Sequence, residues 1–338
     1  MPRNPYIKLL IAGDLTQDFI IDLSGSSKNN IAGGSLFYAA AGARIWNDYI
    51  GLIGRVDNNY PEEWIGSAQN RGLDTSGILR LPQSYDSRVF FHWRDNDHCI
   101  HDNPVASYAK FGLTFPHDLL GYQPDFANVI EKKWANISPR HNPAFPSEYM
   151  DTSGAHLCPI SLSAHIKLTS MLQRSSINTI TISPSDDYMV ASAWQQIPAV
   201  IKDTTAFFPT EAQISSLFLG RSKDLWEMAE GLSENGCPLI IMTRGEKGFW
   251  MFDANSKKKY ALPFYPTYWK DPTGIFDVFA GAFLGEFKNS FDPLQALIAG
   301  DVAASLAVEG TGVFYCLDRF PGLESARCDV LRSMVTIV

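Results

Sequence analysis

The chain lacks a basic excess: 36 Asp and Glu outnumber 28 Lys and Arg, for a net charge of −8. A general nucleic-acid binder normally carries a basic face, so no nucleic-acid partner is expected. No apolar run reaches the roughly 18 residues that a membrane-spanning helix needs, so no membrane partner is expected either. The five cysteines are odd in number and scattered, without a Cys-x-x-Cys pair. That argues against a disulfide framework or a zinc or redox site, and for reduced thiols in a cytoplasmic protein. The start, Met1-Pro2-Arg3-Asn4-Pro5, has no apolar region of the signal-peptide kind. There is no Walker A sequence, and no Gly-x-Gly-x-x-Gly follows the first apolar segment, which removes support for P-loop and dinucleotide-binding folds. His92, His98 and His101 are close together, but their spacing matches neither a His-Glu-x-x-His helix nor a zinc-finger pair.

What remains is ordinary globular material. The 338 residues are 45% apolar and 19% charged, enough to bury a large core, and a single domain over 1–338 is expected. Short apolar runs alternate with helical patterns, the signature of a layered α/β fold with a mainly parallel sheet. Strands are expected at Ile7 to Ala12, Tyr49 to Ile53, Ala155 to Ile160, Asn178 to Ile182, Thr205 to Phe208 and Pro238 to Met242. A hairpin is expected from Gly248 to Phe252 and Lys257 to Leu262. Helices are expected over Gly34 to Trp46 and Pro61 to Asn70, with two more, Gly274 to Lys288 and Asp292 to Val308, closing the chain. Asp18 to Leu23 and Ser87 to Arg94 alternate apolar and polar residues, as half-exposed strands do. With Gly77 to Leu81 they are expected to form a small protruding sheet, a lid with strands near 18–23 and 77–102. Asp95 to Gly154 reads as loops and short helices beside a site.

The stretch most informative for chemistry is Asp271-Pro272-Thr273-Gly274-Ile275-Phe276-Asp277, a turn followed at once by a helical pattern. A helix's first turn has unpaired N–H groups and a partial positive charge, which suits a phosphate. Asp277 in that turn is placed to accept a proton from an attacking hydroxyl. On these residues alone, an aspartate that complements the helix dipole or caps a donor is the favoured reading. Gly281 and Gly285, four residues apart, leave one helix face bare for close packing on the sheet.

This segment resembles the C-terminal signature of the PfkB, or ribokinase-like, carbohydrate kinases, whose usual form is Asp-Thr-Thr-Gly-Ala-Gly-Asp followed by a Phe-x-Gly-Ala helix. Four further segments resemble family motifs in the same order. They are Gly13-Asp14-Leu15-Thr16-Gln17-Asp18, Gly33-Gly34, Gly72-Leu73-Asp74-Thr75 and Thr243-Arg244-Gly245-Glu246-Lys247-Gly248. The resemblance implies a three-layer, doubly wound, mainly parallel α/β sheet with a small β lid. It implies a kinase that uses ATP and Mg²⁺, with a monovalent cation as a further expectation, and acts on a hydroxyl of a sugar or sugar-like molecule.

By resemblance Asp277 is the catalytic base, and Gly274, Ile275 and Phe276 form the anion hole. Asp18, Gly33, Gly34 and Tyr38 face the acceptor. Thr210, Glu211, Thr243, Gly245, Asp271 and Thr273 face the nucleotide, with Glu211 placing Mg²⁺ through water. The chain departs from the pattern at Ile275 and Phe276, where small residues are usual, and at Thr210-Glu211-Ala212-Gln213, where the family has Asn-x-x-Glu. Tyr38 stands where an Asn commonly contacts the sugar, and Ser183 where an Asp is frequent. These departures favour two alternatives: a catalytically degenerate ligand-binding protein of the same fold, or a nucleoside kinase. Exposed lid edges would also suit a homodimer.

Overall fold

The computed structural model describes residues 7–135 and 146–338. Its strands, in chain order, are β1 (Leu9–Ala12), β2 (Thr16–Ile21), β3 (Ser27–Gly33), β4 (Ile50–Asp57), β5 (Leu73–Leu81), β6 (Arg88–Trp93) and β7 (Cys99–Ile100). There follow β8 (Gly154–Leu157), β9 (Thr179–Ile182), β10 (Ala206–Phe207), β11 (Leu239–Thr243), β12 (Phe249–Asp253), β13 (Lys258–Leu262) and β14 (Thr336–Ile337). Ten of them form one sheet in the order β14-β13-β12-β11-β10-β9-β8-β1-β4-β5, and four form a second in the order β3-β2-β6-β7. The run from β11 to β5 is parallel, and β12 to β14 add an antiparallel edge.

The central strands are apolar on both faces because helices cover both. In β1, Leu9 and Ile11 enter one core while Leu10 and Ala12 enter the other. The first core is completed by helices Ser35–Trp46, Glu62–Asn70, Ile275–Ser290, Pro293–Ala307 and Leu323–Arg332. The second is completed chiefly by Leu162–Gln173, Glu211–Leu217 and Leu225–Ser233. This is the three-layer ribokinase-like arrangement with a small second sheet.

The small sheet has a core of its own. Phe19, Ile21 and Phe90 on its outer face pack with Tyr108, Leu119 and Tyr122 from the segment after β7. Its inner face looks onto the parallel strands' carboxyl ends. Expectation and structure differ in several places. Gly77–Leu81 belongs to β5 at the edge of the large sheet, paired with β4, because an edge strand covered on one face has the same period of two as a lid strand. Ser27–Gly33 completes the small sheet instead; its Lys28-Asn29-Asn30 stretch is exposed and carries no apolar period. The helix Leu323–Arg332 and β14 extend the chain past the two expected closing helices, and that helix buries only Arg327, Cys328 and Leu331. Within Asp95 to Gly154 the helices Pro104–Lys110 and Phe126–Trp134 form, while 136–145 lie outside the described residues.

The bare helix face also packs differently. A Cβ on Gly281 would lie 1.8 Å from the carbonyl oxygen of Ala39, and one on Gly42 would lie 1.9 Å from that of Val278. The glycines therefore serve the contact between helices Ser35–Trp46 and Ile275–Ser290 rather than contact with the sheet. Because the obstruction on both sides is backbone, Gly281→Ala is expected to destabilise the protein by about 3 kcal/mol. Urea unfolding checks this as a lowered midpoint at constant slope; an unchanged midpoint would mean that the two helices separate without cost.

Candidate active site

The site lies where the parallel strands end and the two packed helices begin. After β1 the chain passes Gly13-Asp14 into β2, where the alternation turns Asp18 inward and Phe19 outward. Asp18 lies against Gly33, where a Cβ would come within 1.9 Å of its carboxyl carbon. Gly34 then takes a φ of +98°, a conformation that glycine adopts at no steric cost, and caps helix Ser35–Trp46. One turn on, the Tyr38 ring covers Gly274, leaving no room there for a side chain. Gly274, at φ +72°, is the N-cap of helix Ile275–Ser290 and has no side-chain capping bond. Asp277 follows in that helix's first turn.

Two cavities meet at this turn. An inner one of ≈ 380 Å³ has Asp14, Asp18 and Asp277 among its polar lining, with Tyr38, Phe91, Val129 and Ile130 as apolar walls. An outer one of ≈ 810 Å³ is lined by Thr210, Glu211, Thr243, Gly245, Phe276 and the lid residue Trp93, among others. Thr273, Gly274, Asp277, Phe91, His101 and Asp186 border both. Three buried polar atoms on residues of the inner cavity, Asp18 Oδ2, Tyr38 OH and Ser87 Oγ, have no partner, nor has Thr243 Oγ of the outer cavity. Buried polar groups are normally paired, so these four mark positions that a bound polar ligand would satisfy.

Electrostatics set the protonation states. Burial raises Asp18 to about 7, against the bond from Thr16 Oγ at 2.5 Å, with the nearby charges of Asp271 and Asp14 adding to the rise. Enclosure alone raises Asp277 to about 7. Burial lifts Asp271 to about 6, opposed by the Thr273 hydroxyl and N–H, which bond its Oδ1 at 2.6 and 3.0 Å. Asp14 is held by the buried ammonium of Lys133, 2.9 Å away, which also donates to the Leu15 carbonyl.

Of the expected acceptor-side residues, Asp18, Gly34 and Tyr38 line the inner cavity, and Gly33 makes room for Asp18. Of the nucleotide-side residues, Thr210, Glu211, Thr243, Gly245 and Thr273 line the outer cavity. Asp271 lines neither and instead shapes the turn through Thr273. Thr210 and Gln213 form a reciprocal capping box, and Gln213 Nε2 also donates to Asp186 Oδ1 at 2.7 Å. Glu211 accepts from Arg244 Nε at 2.8 Å, and Arg244 lies 3.9 Å over Trp250, itself stacked on Trp226. The Phe276 ring packs against the core and meets Phe249 edge-on at 6.5 Å. Ile275 is buried, and its N–H donates to the Pro272 carbonyl at 3.3 Å, so that member of the expected anion hole is already engaged. Lys133, Asp186, Ser87 and Trp93 were not anticipated; each comes from a segment without a motif. Asp14 lies within the Gly13–Asp18 segment, where the sequence resemblance points to Asp18 instead.

A profile of the pfkB family of carbohydrate kinases matches residues 135–319, more than half of the chain. The chain belongs to this family. This pfkB-family protein is 24% identical over 293 residues to a cytidine kinase of Thermococcus kodakarensis, covering 86% of this chain and 92% of that one. A Burkholderia thailandensis nucleoside kinase in complex with inosine superposes with a TM-score of 0.71 at 16% identity, covering 96% of this chain and 99% of that one. An E. coli structure described as a ribokinase II with ATP and Mg²⁺ superposes equally well, at 0.71 and 19% identity, covering 94% and 98%. The pfkB protein is thus a phosphotransferase with a hydroxyl acceptor, a sugar or nucleoside kinase. Among the described residues no helix is long and apolar enough to cross a membrane.

The raised Asp18 value carries a stability consequence. A carboxyl that titrates near 7 when folded and near 4 when unfolded stabilises the fold fully below about pH 4. That contribution is lost as pH rises through about 7. His156 and His165, pushed down to about 3 by burial, act in the opposite direction in acid. The clean measurement is therefore the Tm of Asp18→Asn minus that of wild type, without ligand, between pH 6 and 8.5. The difference is expected to grow in favour of the variant toward high pH; a flat difference would show that the Asp18 charge costs nothing.

Proposed function

We propose that the protein transfers the γ-phosphoryl group of ATP to a primary hydroxyl of a nucleoside, with Asp277 as general base. The observation that carries this reading is the position of Asp277 and Gly274 at the junction of the two cavities. An acceptor hydroxyl in the inner cavity and a γ-phosphate in the outer one would meet there. With its pKa near 7 the Asp277 carboxyl is largely ionised in mildly alkaline solution, yet basic enough to take the hydroxyl proton. The free lone pairs of Asp18 suit two acceptor hydroxyls, and a vicinal ribose diol supplies them. The apolar walls, Phe91, Val129 and Ile130, suit a flat heterocycle better than a bare sugar. The likeness to a cytidine kinase supports the same choice.

The outer cavity fits a metal-bound nucleotide. Its charged lining is Asp97, Asp186, Glu211 and Asp277 against Arg244 and Lys247, so a bare polyphosphate would be repelled. Among the described residues no group of three His, Cys, Asp or Glu is arranged to hold a metal alone. That composition suits Mg²⁺ carried on the donor phosphates, with Asp186 and Glu211 as the nearby carboxylates, and the ion would screen charge on the transferring group. The chain's own share is to orient the hydroxyl with Asp18, to remove its proton at Asp277, and to shut out water with the small sheet's inner face.

The test is steady-state phosphorylation of a panel of nucleosides and sugars, with Asp277→Asn beside the wild type. Nucleosides are expected to outperform ribose. The variant should lose kcat by roughly 100- to 10,000-fold while still binding ATP-Mg²⁺. Ribose as the best acceptor would favour the plain sugar-kinase reading, and full activity of the variant would remove Asp277 as base. With the wild type, kcat/KM should fall with unit slope below about pH 7, steepening toward two if Asp18 must also be ionised. A flat profile from pH 6 to 8 would contradict the assignment.

A further inference from the structure

The strand β6 spans both cavities. Its inward residues are Val89, which lines the inner cavity, Phe91, which borders both, and Trp93, which lines the outer one. Its outward residues, Phe90 and His92, pack on the small sheet's own cover. At the end of β6 the Trp93 indole donates through Nε1 to Thr273 Oγ1 at 2.8 Å. An indole N–H can only donate, so the Thr273 hydroxyl must accept from it and sends its own proton to Asp271 Oδ1 at 2.6 Å. The order of this relay is therefore fixed: lid indole, turn hydroxyl, buried carboxyl. Thr273 is almost wholly buried and immediately precedes Gly274, which sets the angle of the helix carrying Asp277.

Two further contacts bring the same hairpin onto the nucleotide side. Asn96 Nδ2 donates to Glu246 Oε2 at 2.7 Å, and the Asp97 carboxylate lies over Gly245, where a Cβ would come within 1.7 Å of it. At the same end of the small sheet, where β2 runs parallel to β6, the Leu23 N–H donates to the Lys270 carbonyl at 3.0 Å, one residue before Asp271. One end of the lid is thus anchored both to the transfer turn and to the nucleotide-side turn at Gly245 and Glu246.

We propose that Trp93 is a positioning residue: through Thr273 it ties closure of the small sheet to the placement of the turn that carries Asp277, so the turn is held for transfer only when both cavities are covered. This rests on the kinase reading above. Trp93 touches neither reacting oxygen. Its effect runs through the rotamer of Thr273, and it belongs to the chemical step rather than to acceptor affinity.

The experiment compares Trp93→Phe, which keeps an aromatic ring and loses the donor, with Thr273→Val and the double variant. Trp93→Phe is expected to lower kcat roughly 10- to 100-fold, the scale of a small misplacement. The acceptor KM should stay within about threefold of wild type, and a larger share of ATP turnover should go to water. The double variant should be no slower than the slower single one, because both remove the same bond. Hydrogen exchange of residues 88–100 should quicken in Trp93→Phe. If that variant fails to fold, Thr273→Ser, which keeps the hydroxyl, against Thr273→Val, which lacks it, tests the bond from the other side; equal rates for those two overturn the proposal. So do multiplicative losses in the double variant, or wild-type kcat with wild-type exchange in Trp93→Phe. A wild type that phosphorylates nothing would sink the kinase reading alone, and the exchange comparison would still decide the latch.

Discussion

The functional end of this protein depends on two helices that touch backbone to backbone. Gly42 against the carbonyl of Val278, and Gly281 against that of Ala39, leave no side chain between helices Ser35–Trp46 and Ile275–Ser290. Both helices begin at the carboxyl edge of the sheet, each behind a glycine with positive φ. Their close crossing fixes the distance between the acceptor-side start at Gly34 and the phosphate-side start at Gly274. Tyr38 fills the remaining gap by lying on Gly274. A wider crossing would move Asp277 away from the cavity that holds Asp18, so packing density inside the fold is also the tolerance of the site.

That geometry gathers more negative charge than a nucleotide site would tolerate unaided. Asp14 is neutralised by Lys133, and Asp271 is spent on Thr273, while Asp18 and Asp277 keep free lone pairs and raised pKa values. The division separates carboxylates that shape the site from those available to a ligand. Ile275 and Phe276, which depart most from the family pattern, are accommodated because both side chains turn into or along the core. Gln213, the neutral substitute in the other altered motif, holds a carboxylate, Asp186, at the border of both cavities.

Much of this was legible in the sequence for a physical reason. Gly33, Gly34 and Gly274 sit where close approach or a positive φ demands glycine, and with Asp18 and Asp277 they fall in short segments in a fixed order. The parallel strands were equally plain, since burial on both faces makes them continuous apolar runs. Lys133, Asp186 and Trp93 reach the site by tertiary packing from helix, loop and lid, where no local constraint marks them. The lid misreading at Gly77–Leu81 has the same origin: a period of two reports one covered face and is silent about which sheet provides it. The polar edge strand Ser27–Gly33 and the half-exposed helix Leu323–Arg332 bury too little to produce a period at all.

The separate core of the small sheet bears on the thermodynamics of ligand binding. Phe19, Ile21 and Phe90 pack on Tyr108, Leu119 and Tyr122, on the face turned away from the body, so the apolar surface that the sheet lays over the site is limited to Val89, Phe91 and Trp93. Heat capacity tracks apolar surface. Closure over a substrate should thus give a calorimetric curvature with temperature set by those three side chains, with the separate core contributing none.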